Sequence, residues 1–427
     1  MDLQPSQSSQ TQNLHGFFFF RKELRLILTF LILLIFTFVI SSLVSPFDPQ
    51  FIFRFGLLSQ LLPNKSNNNN NNNTSSVGAC DYSYGRWVPD ESYTLESYTE
   101  NCPFLDPGFR CTQNGRKDDG YRRWRWQPAG CDLPRFNASD LLERSKNGRI
   151  VFAGDSIGRN QWESFLCMLA QGVSNKSSIY EVNGKPINKH KGFLSMRFNE
   201  YNLTVEYYRA PFLVNIGRPP QNSSKQVRST VKVDQLHWYS MKEWKRADIL
   251  VFNSGHWWNK EKTLGMGCYF EEDNKVNITM DVVEAFRRSL QTWKSWALEN
   301  LDPQRTHVFF RSYSPVHYRN GTWNEGGWCD SNVGPETNYT NLESDPFQNL
   351  VIYNAIKQMD YGNWNVQYLN ITYLTEFRKD GHPSKYREPG TPPSAPQDCS
   401  HWCLPGVPDT WNNLLYAYLL SKEFRTK

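Results

Sequence analysis

A serine at a strand-to-helix break and a late carboxylate–histidine pair are the residues of this chain best suited to chemistry. The segment Arg149-Ile-Val-Phe-Ala-Gly-Asp-Ser156-Ile-Gly-Arg-Asn160-Gln-Trp-Glu163 opens as a short apolar, β-branched run, breaks at Gly154 and stays helix-compatible to Gln171. That pattern predicts a strand, a tight turn and a helix, with Ser156 on the turn. A serine there sits near the positive end of the helix, beside backbone N–H groups able to receive an oxyanion. The competing reading is that Ser156 merely caps the helix. A hydroxyl is a weak nucleophile until a base takes its proton and a carboxylate orients that base. Asp398-Cys-Ser-His401 supplies both groups three residues apart, so one turn can aim them the same way. The expected triad is therefore Ser156 as nucleophile, His401 as general base and then acid, and Asp398 as the orienting carboxylate. Asp380-Gly-His382-Pro383 offers a rival pair. Its spacing before a proline suits an extended loop, where the side chains diverge. Cys167 falls on the helix, not at a strand end, and is set aside as a nucleophile.

The elements that must position these groups follow from periodicity. Strands are expected over 150–153, 247–252, 306–311 and 365–369, and an antiparallel pair within 192–214. Helices are expected over 159–171, 280–299, 346–359 and 409–422, the last capped by Asp409. Strands alternating with helices imply an α/β fold with a mostly parallel sheet covered on both faces. Sites in such sheets lie at the carboxyl ends of strands, where Ser156, Asn253 and Ser312 fall. Asn253 is the best side-chain candidate for the oxyanion, its alternative being a strand-end Asn bonding its own turn. Arg159 and Asn160 follow the nucleophile and are candidates to hold its turn, Arg159 more as structure than as a substrate contact. His256, Trp257 and Trp258 are candidates for an acceptor groove, with core packing the alternative.

Composition bounds the class. The chain has 427 residues and a formal net charge of +5, with no long basic tract, which argues against a nucleic-acid partner. Aromatic residues make up 15% and include 15 Trp, which suits a large core or sugar stacking. Leu26 to Val44 carries no charge and follows Arg21, Lys22 and Arg25. This predicts a cytosolic tail (1–25), a type II signal anchor (26–44) and a lumenal body; a cleaved signal peptide is the alternative. Residues 45–79, with the run Asn67–Asn73, read as a disordered stem. Residues 80–147 read as a Cys- and Trp-rich, loop-dominated subregion stapled to a catalytic body at 148–427. Within it Arg122 to Trp126 suggests Arg–Trp stacking as architecture. All nine cysteines lie beyond the apolar segment, and Asn-x-Ser/Thr sequons occur at Asn137, Asn175, Asn202, Asn222, Asn277, Asn320, Asn338 and Asn370. Both features suit an oxidising lumen, disulfides and N-glycans. No metal is expected: Cys399 and Cys403 alone resemble a ligand pair, and the tandem pattern of structural zinc is missing.

Gly-Asp-Ser156 with Asp398-x-x-His401 resembles the SGNH/GDSL hydrolase-like superfamily. Gly85-Arg-Trp-Val88, Asn101-Cys-Pro-Phe104, Trp124-Arg-Trp-Gln-Pro128, Leu133-Pro-Arg-Phe136, Asn253-Ser-Gly-His-Trp-Trp258 and Asp398-Cys-Ser-His-Trp-Cys403 narrow the resemblance to the plant trichome birefringence-like family. It runs from about Cys80 to the C-terminus. It implies an SGNH-like three-layer α/β/α body and a Golgi O-acetyltransferase acting on a cell-wall polysaccharide: xylan, mannan, xyloglucan or pectin. It also implies an asparagine role analogous to that proposed for Asn253. By the same resemblance Cys268 is the unpaired thiol, leaving Cys80, Cys102, Cys111, Cys131, Cys167, Cys329, Cys399 and Cys403 for disulfides. No bound cofactor is expected. The donor is acetyl-CoA or an acetyl group relayed by a membrane partner. An esterase with the same triad and a non-catalytic glycan-binding protein are the rival functions.

Overall fold

The computed structural model describes residues 80–94, 98–188 and 191–426. The expected tail, anchor and stem lie outside them. Among the described residues no helix is long and apolar enough to cross a membrane.

Two strands open the described chain, β1 (Gly85–Pro89) and β2 (Trp124–Pro128), followed by helix α1 (Ala138–Arg144). The nucleophile unit is β3 (Arg149–Gly154) and α2 (Ser156–Leu169). Next come β4 (Ile179–Glu181), β5 (Phe193–Phe198), β6 (Leu203–Arg209), β7 (Val214–Gly217), β8 (Ser229–Leu236) and β9 (Ile249–Asn253). After these lie β10 (Cys268–Glu272), β11 (Lys275–Asn277), α3 (Val282–Asn300) and β12 (His307–Arg311). The chain closes through α4 (Phe347–Lys357), β13 (Gln367–Leu369), α5 (Thr372–Glu376) and α6 (Val407–Ser421).

The central seven-stranded sheet has the order β13-β12-β9-β3-β6-β5-β4. Its first five strands run parallel, and β5 and β4 add an antiparallel edge. Strand alternation sorts the side chains into two layers. Ile150, Phe152, Ile249, Val251 and Phe309 face one core with Trp162, Phe165 and Leu166 of α2 and Trp411, Leu414 and Leu415 of α6. Val151, Ala153, Leu250, Phe252, Val308 and Phe310 face the other, with Phe286, Leu290 and Trp293 of α3 and Ile352 and Ile356 of α4. This is the expected three-layer α/β/α body. Each fully buried large side chain contributes about 1.5–3 kcal/mol. Six of the largest are tryptophans: Trp162, Trp244, Trp258, Trp293, Trp402 and Trp411. With Trp126, seven of the fifteen tryptophans are core.

Some boundaries moved for local reasons. The helix after the nucleophile starts at Ser156 because Asp155 caps it, its carboxylate accepting from the Ile157 and Gly158 N–H groups. The last helix starts two residues before Asp409, which reaches back as an acceptor for the Gly406 N–H at 2.9 Å. A second sheet, ordered β11-β10-β8-β7, was not anticipated. Its strands are short or interrupted by polar residues, and the β7–β8 register is broken by a bulge. In the N-terminal subregion β1 and β2 pair antiparallel, with Trp87 opposite Trp126. Arg378, from far along the chain, lies 4.4 Å over the Trp87 ring.

Four disulfides form: Cys80–Cys131, Cys102–Cys167, Cys111–Cys403 and Cys329–Cys399. They use the eight cysteines expected, and Cys268 remains a buried thiol. Cys399 and Cys403 bracket His401 in separate bridges, so neither is available as a zinc ligand.

Candidate active site

The parallel strands β3, β6 and β9 end side by side, and their carboxyl ends carry the site. Asp155, not Ser156, takes the N-cap position, with extended backbone. Ser156 is therefore the first helical residue, its side chain released from capping. Its backbone N–H, in the first turn, has no carbonyl four residues back within the helix. Ser156 opens into a cavity of about 350 Å³ lined also by His401, Asp398, Tyr207, Arg209 and Trp257.

The structure brings the expected base and carboxylate together. His401 Nδ1 lies 2.9 and 3.1 Å from the two Asp398 carboxylate oxygens. Asp398 Oδ1 also accepts the backbone N–H groups of Ser400 and His401, at 3.2 and 3.0 Å. Burial opposes the charge on Asp398, but the positive imidazole and these hydrogen bonds hold its carboxyl well below the usual range. Burial likewise disfavours the His401 imidazolium, yet the adjacent Asp398 charge and hydrogen bond win and raise its pKa above 6.5. With Nδ1 donating to Asp398, Nε2 is the nitrogen left to take a proton.

The rival pair at 380 and 382 separates. Asp380 accepts two hydrogen bonds from the Arg378 guanidinium, at 2.9 and 3.0 Å. His382 Nδ1 instead donates to the His401 carbonyl at 2.7 Å.

Asn160 is buried and clasps the backbone beside the base. Its Oδ1 accepts from Trp402 N–H at 2.8 Å, and its Nδ2 donates to Trp402 O at 3.1 Å. Helix α2 thereby holds the loop of His401 directly. Arg159 borders the cavity but is 3% exposed, and its guanidinium pairs with Glu163 at 2.7 Å and Asp106 at 3.5 Å. A structural role fits it.

Asn253 and His256 are placed differently from expectation. Asn253 does not line the cavity: its amide donates to Asp155 Oδ1 at 2.6 Å. Its oxygen packs so closely over Gly154 and Gly158 that a Cβ at either glycine would collide with it. His256 is also buried, with Nδ1 3.3 Å from Asp155 Oδ2 and Nε2 2.8 Å from the Ser314 carbonyl. It stacks on Tyr313 at 4.2 Å. Both therefore support Asp155. Burial works against the Asp155 charge, while His256, Arg311 and the Asn253 amide more than offset it and keep the carboxyl low. Trp258 is fully buried against Phe212 and Phe286, so it belongs to the core. Trp257 does reach the cavity, with Arg209 and Lys262 5.4 and 5.5 Å from its ring.

Asp155 was missed as a functional residue, although the Gly-Asp-Ser sequence displays it. Its role depends on partners from β9 and the segment after it, which no local pattern reveals. Among the described residues no group of three or more His, Cys, Asp or Glu is placed to hold a metal.

A parallel sheet with Ser156 beyond one strand and a paired Asp398–His401 on a late loop defines an SGNH-like architecture. Residues 133–418 match the GDSL/SGNH-like acyl-esterase family found in Pmr5 and Cas1p, and residues 78–132 match the PMR5 N-terminal domain. The chain is 66% identical over 353 residues to trichome birefringence-like 9 of Arabidopsis thaliana, covering 82% of this chain and 85% of that one. It is 45% identical to trichome birefringence-like 6 of the same plant, with 81% and 72% covered. The chain belongs to the trichome birefringence-like family.

Proposed function

We propose that this protein is a Golgi O-acetyltransferase that acetylates hydroxyls of a plant cell-wall polysaccharide through an acetyl-Ser156 intermediate. The observation that carries the reading is the Asp398–His401 pair beside the cavity into which Ser156 opens. Ser156 Oγ attacks the donor carbonyl as His401 Nε2 takes its proton. The oxyanion forms near the Ser156 N–H at the positive end of α2, and His401 returns the proton to the leaving group. A sugar hydroxyl, deprotonated by His401, then attacks the acetyl carbonyl; the bond to Ser156 Oγ breaks and His401 returns the proton to Oγ. The donor is acetyl-CoA or an acetyl group relayed by a membrane partner, and the acceptor is xylan, mannan, xyloglucan or pectin. The charge-free segment 26–44 is the proposed single-pass Golgi anchor, with the catalytic body in the lumen and sequon asparagines carrying glycans.

A second reading, a serine-dependent carbohydrate acetylesterase, is favoured by the acyl-esterase family match. The two differ in whether water or a sugar reaches the acetyl-enzyme. Secreted protein from Cys80 onward, given acetyl-CoA and deacetylated glycan oligosaccharides, should add acetyl groups to one class, read by mass spectrometry. Ser156→Ala should not. Serine-dependent acetate release without glycan product would replace the transferase with the esterase.

A further inference from the structure

Behind the base runs a second, buried chain of titratable groups that the proposed reaction does not use. His382 Nδ1 is 2.7 Å from the His401 carbonyl oxygen, and His382 Nε2 is 2.7 Å from His317 Nδ1. His317 Nε2 lies 3.5 Å from Glu376 Oε2. His317, His382 and Glu376 are 7%, 2% and 5% exposed. Protons can be placed along this chain where an acceptor is fixed. A carbonyl only accepts, so His382 Nδ1 carries hydrogen. One proton lies between the two rings at 2.7 Å. A bare His317 Nε2 facing a bare carboxylate would set lone pairs against each other away from water, which is costly, so a further proton lies between them, on the ring or on the carboxyl.

Burial, and next the neighbouring His317 ring, hold the His382 pKa well below the ordinary histidine value. Arg116 also faces His382, donating to its carbonyl at 3.2 Å, and is itself paired with Asp118 at 3.0 Å. Arg378 and Asp380 neutralise one another at 2.9 Å, and Asp398 is committed to His401. Trp402 packs its ring 4.0 Å from His382 and 6.0 Å from His317. The remaining carboxylate facing His317 is Glu376.

We propose that His382 is a positioning residue linking the buried His317 and Glu376 to the backbone of His401. The consequence for catalysis rests on the serine–histidine reading above; the hydrogen-bonded chain itself does not. Held by His382 at its carbonyl and by Asp398 at its ring and N–H, His401 keeps one orientation toward Ser156. A misplacement of about 1 Å at such a group can cost roughly 100-fold in rate.

The test uses the full-length chain and a fluorophosphonate probe that acylates an activated serine without donor or acceptor. His382→Ala should slow Ser156 labelling by about 10- to 100-fold. His382→Asn, whose amide can still donate to the His401 carbonyl, should recover most of that rate. The ring nitrogens of 15N-histidine protein, assigned by loss of signal in His382→Ala, should show hydrogen on Nδ1 of His382. A bare Nδ1 on His382 in the unmodified protein overturns the hydrogen bond to the His401 carbonyl. Labelling by His382→Ala at the unmodified rate and pH profile overturns the positioning role. An unmodified protein inert to the probe refutes the serine reading instead, while the nitrogen spectra still decide whether His382 Nδ1 holds the His401 carbonyl.

Discussion

At the scale of single residues, the Asp398 carboxylate does two things to His401. It fixes Nδ1 as the protonated nitrogen, and it raises the imidazole pKa. Asp398→Asn should therefore lower kcat by roughly 10⁴-fold, with a much smaller change in KM. The sign of the pH effect follows. His401 acts as a base only when neutral, so activity should climb as pH rises through its raised pKa, above 6.5. In any residual activity of the Asn variant, that limb should move to lower pH. An unmoved limb in the kcat/KM profile would assign it to another group. Asp155 invites a second substitution. Gly158→Ala would drive a methyl into the Asn253 amide oxygen and displace the partner of Asp155. Activity should fall, while Gly130→Ala, at an exposed position with open space around it, serves as a control for expression. The proposed triad could be picked out in the sequence because the Gly-Asp-Ser turn and the Asp398–His401 pair are each local. The roles of Asn253 and His256 could not, because both turn toward a carboxylate about a hundred residues away.

At the scale of elements, the loop carrying the base has little regular structure of its own. It is held by two disulfides, Cys329–Cys399 and Cys111–Cys403, and by the Asn160 clasp from α2. The second bridge ties the loop to the N-terminal subregion across 292 residues of sequence. That subregion is thus part of the site's support. Replacing Cys111 and Cys403 together by serine should cost about 2–5 kcal/mol of stability, measured by urea unfolding. Labelling of Ser156 should suffer below the unfolding transition as well, because the base loses an anchor two residues away. Retained stability with retained labelling would show that Asn160 and His382 suffice. Here too the sequence was partly readable. Strong apolar runs announced β3, β9 and β12, and the eight paired cysteines were named correctly. The second sheet was invisible because β7, β10 and β11 are short and irregularly patterned. The start of α2 was placed three residues late, at 159, because the capping carboxylate of Asp155 was not weighed.

At the scale of the whole molecule, two buried carboxyl groups on α2 and α6 make stability depend on pH. Glu163 is fully buried, and desolvation, partly opposed by Arg159, lifts its pKa from 4.5 to about 7. Asp409 is similarly lifted by burial to about 6, against hydrogen bonds from Ser164 and Tyr98. Glu163 accepts the Asp106 N–H at 2.7 Å, and Asp409 accepts the Tyr98 hydroxyl at 2.8 Å, so both join the N-terminal subregion to the catalytic body. A carboxyl whose folded pKa exceeds its unfolded value binds its proton more tightly in the folded state. Its contribution is complete below the unfolded pKa and falls away as pH rises to the folded one. For Glu163 that window runs from about 4.5 to about 7. Each pKa unit corresponds to about 1.4 kcal/mol, and burial makes the sum an upper bound of about 3 kcal/mol. Between pH 5 and 8 the Tm should therefore fall, most steeply below pH 7, and Glu163→Gln should flatten the slope because its side chain no longer titrates. A Tm that rises across this range, or a slope unchanged in Glu163→Gln, would mean that Arg159 keeps Glu163 ionised throughout. The direction would suit a protein working in a mildly acidic compartment, which connects a buried carboxyl in the core to the lumenal location proposed for the whole chain.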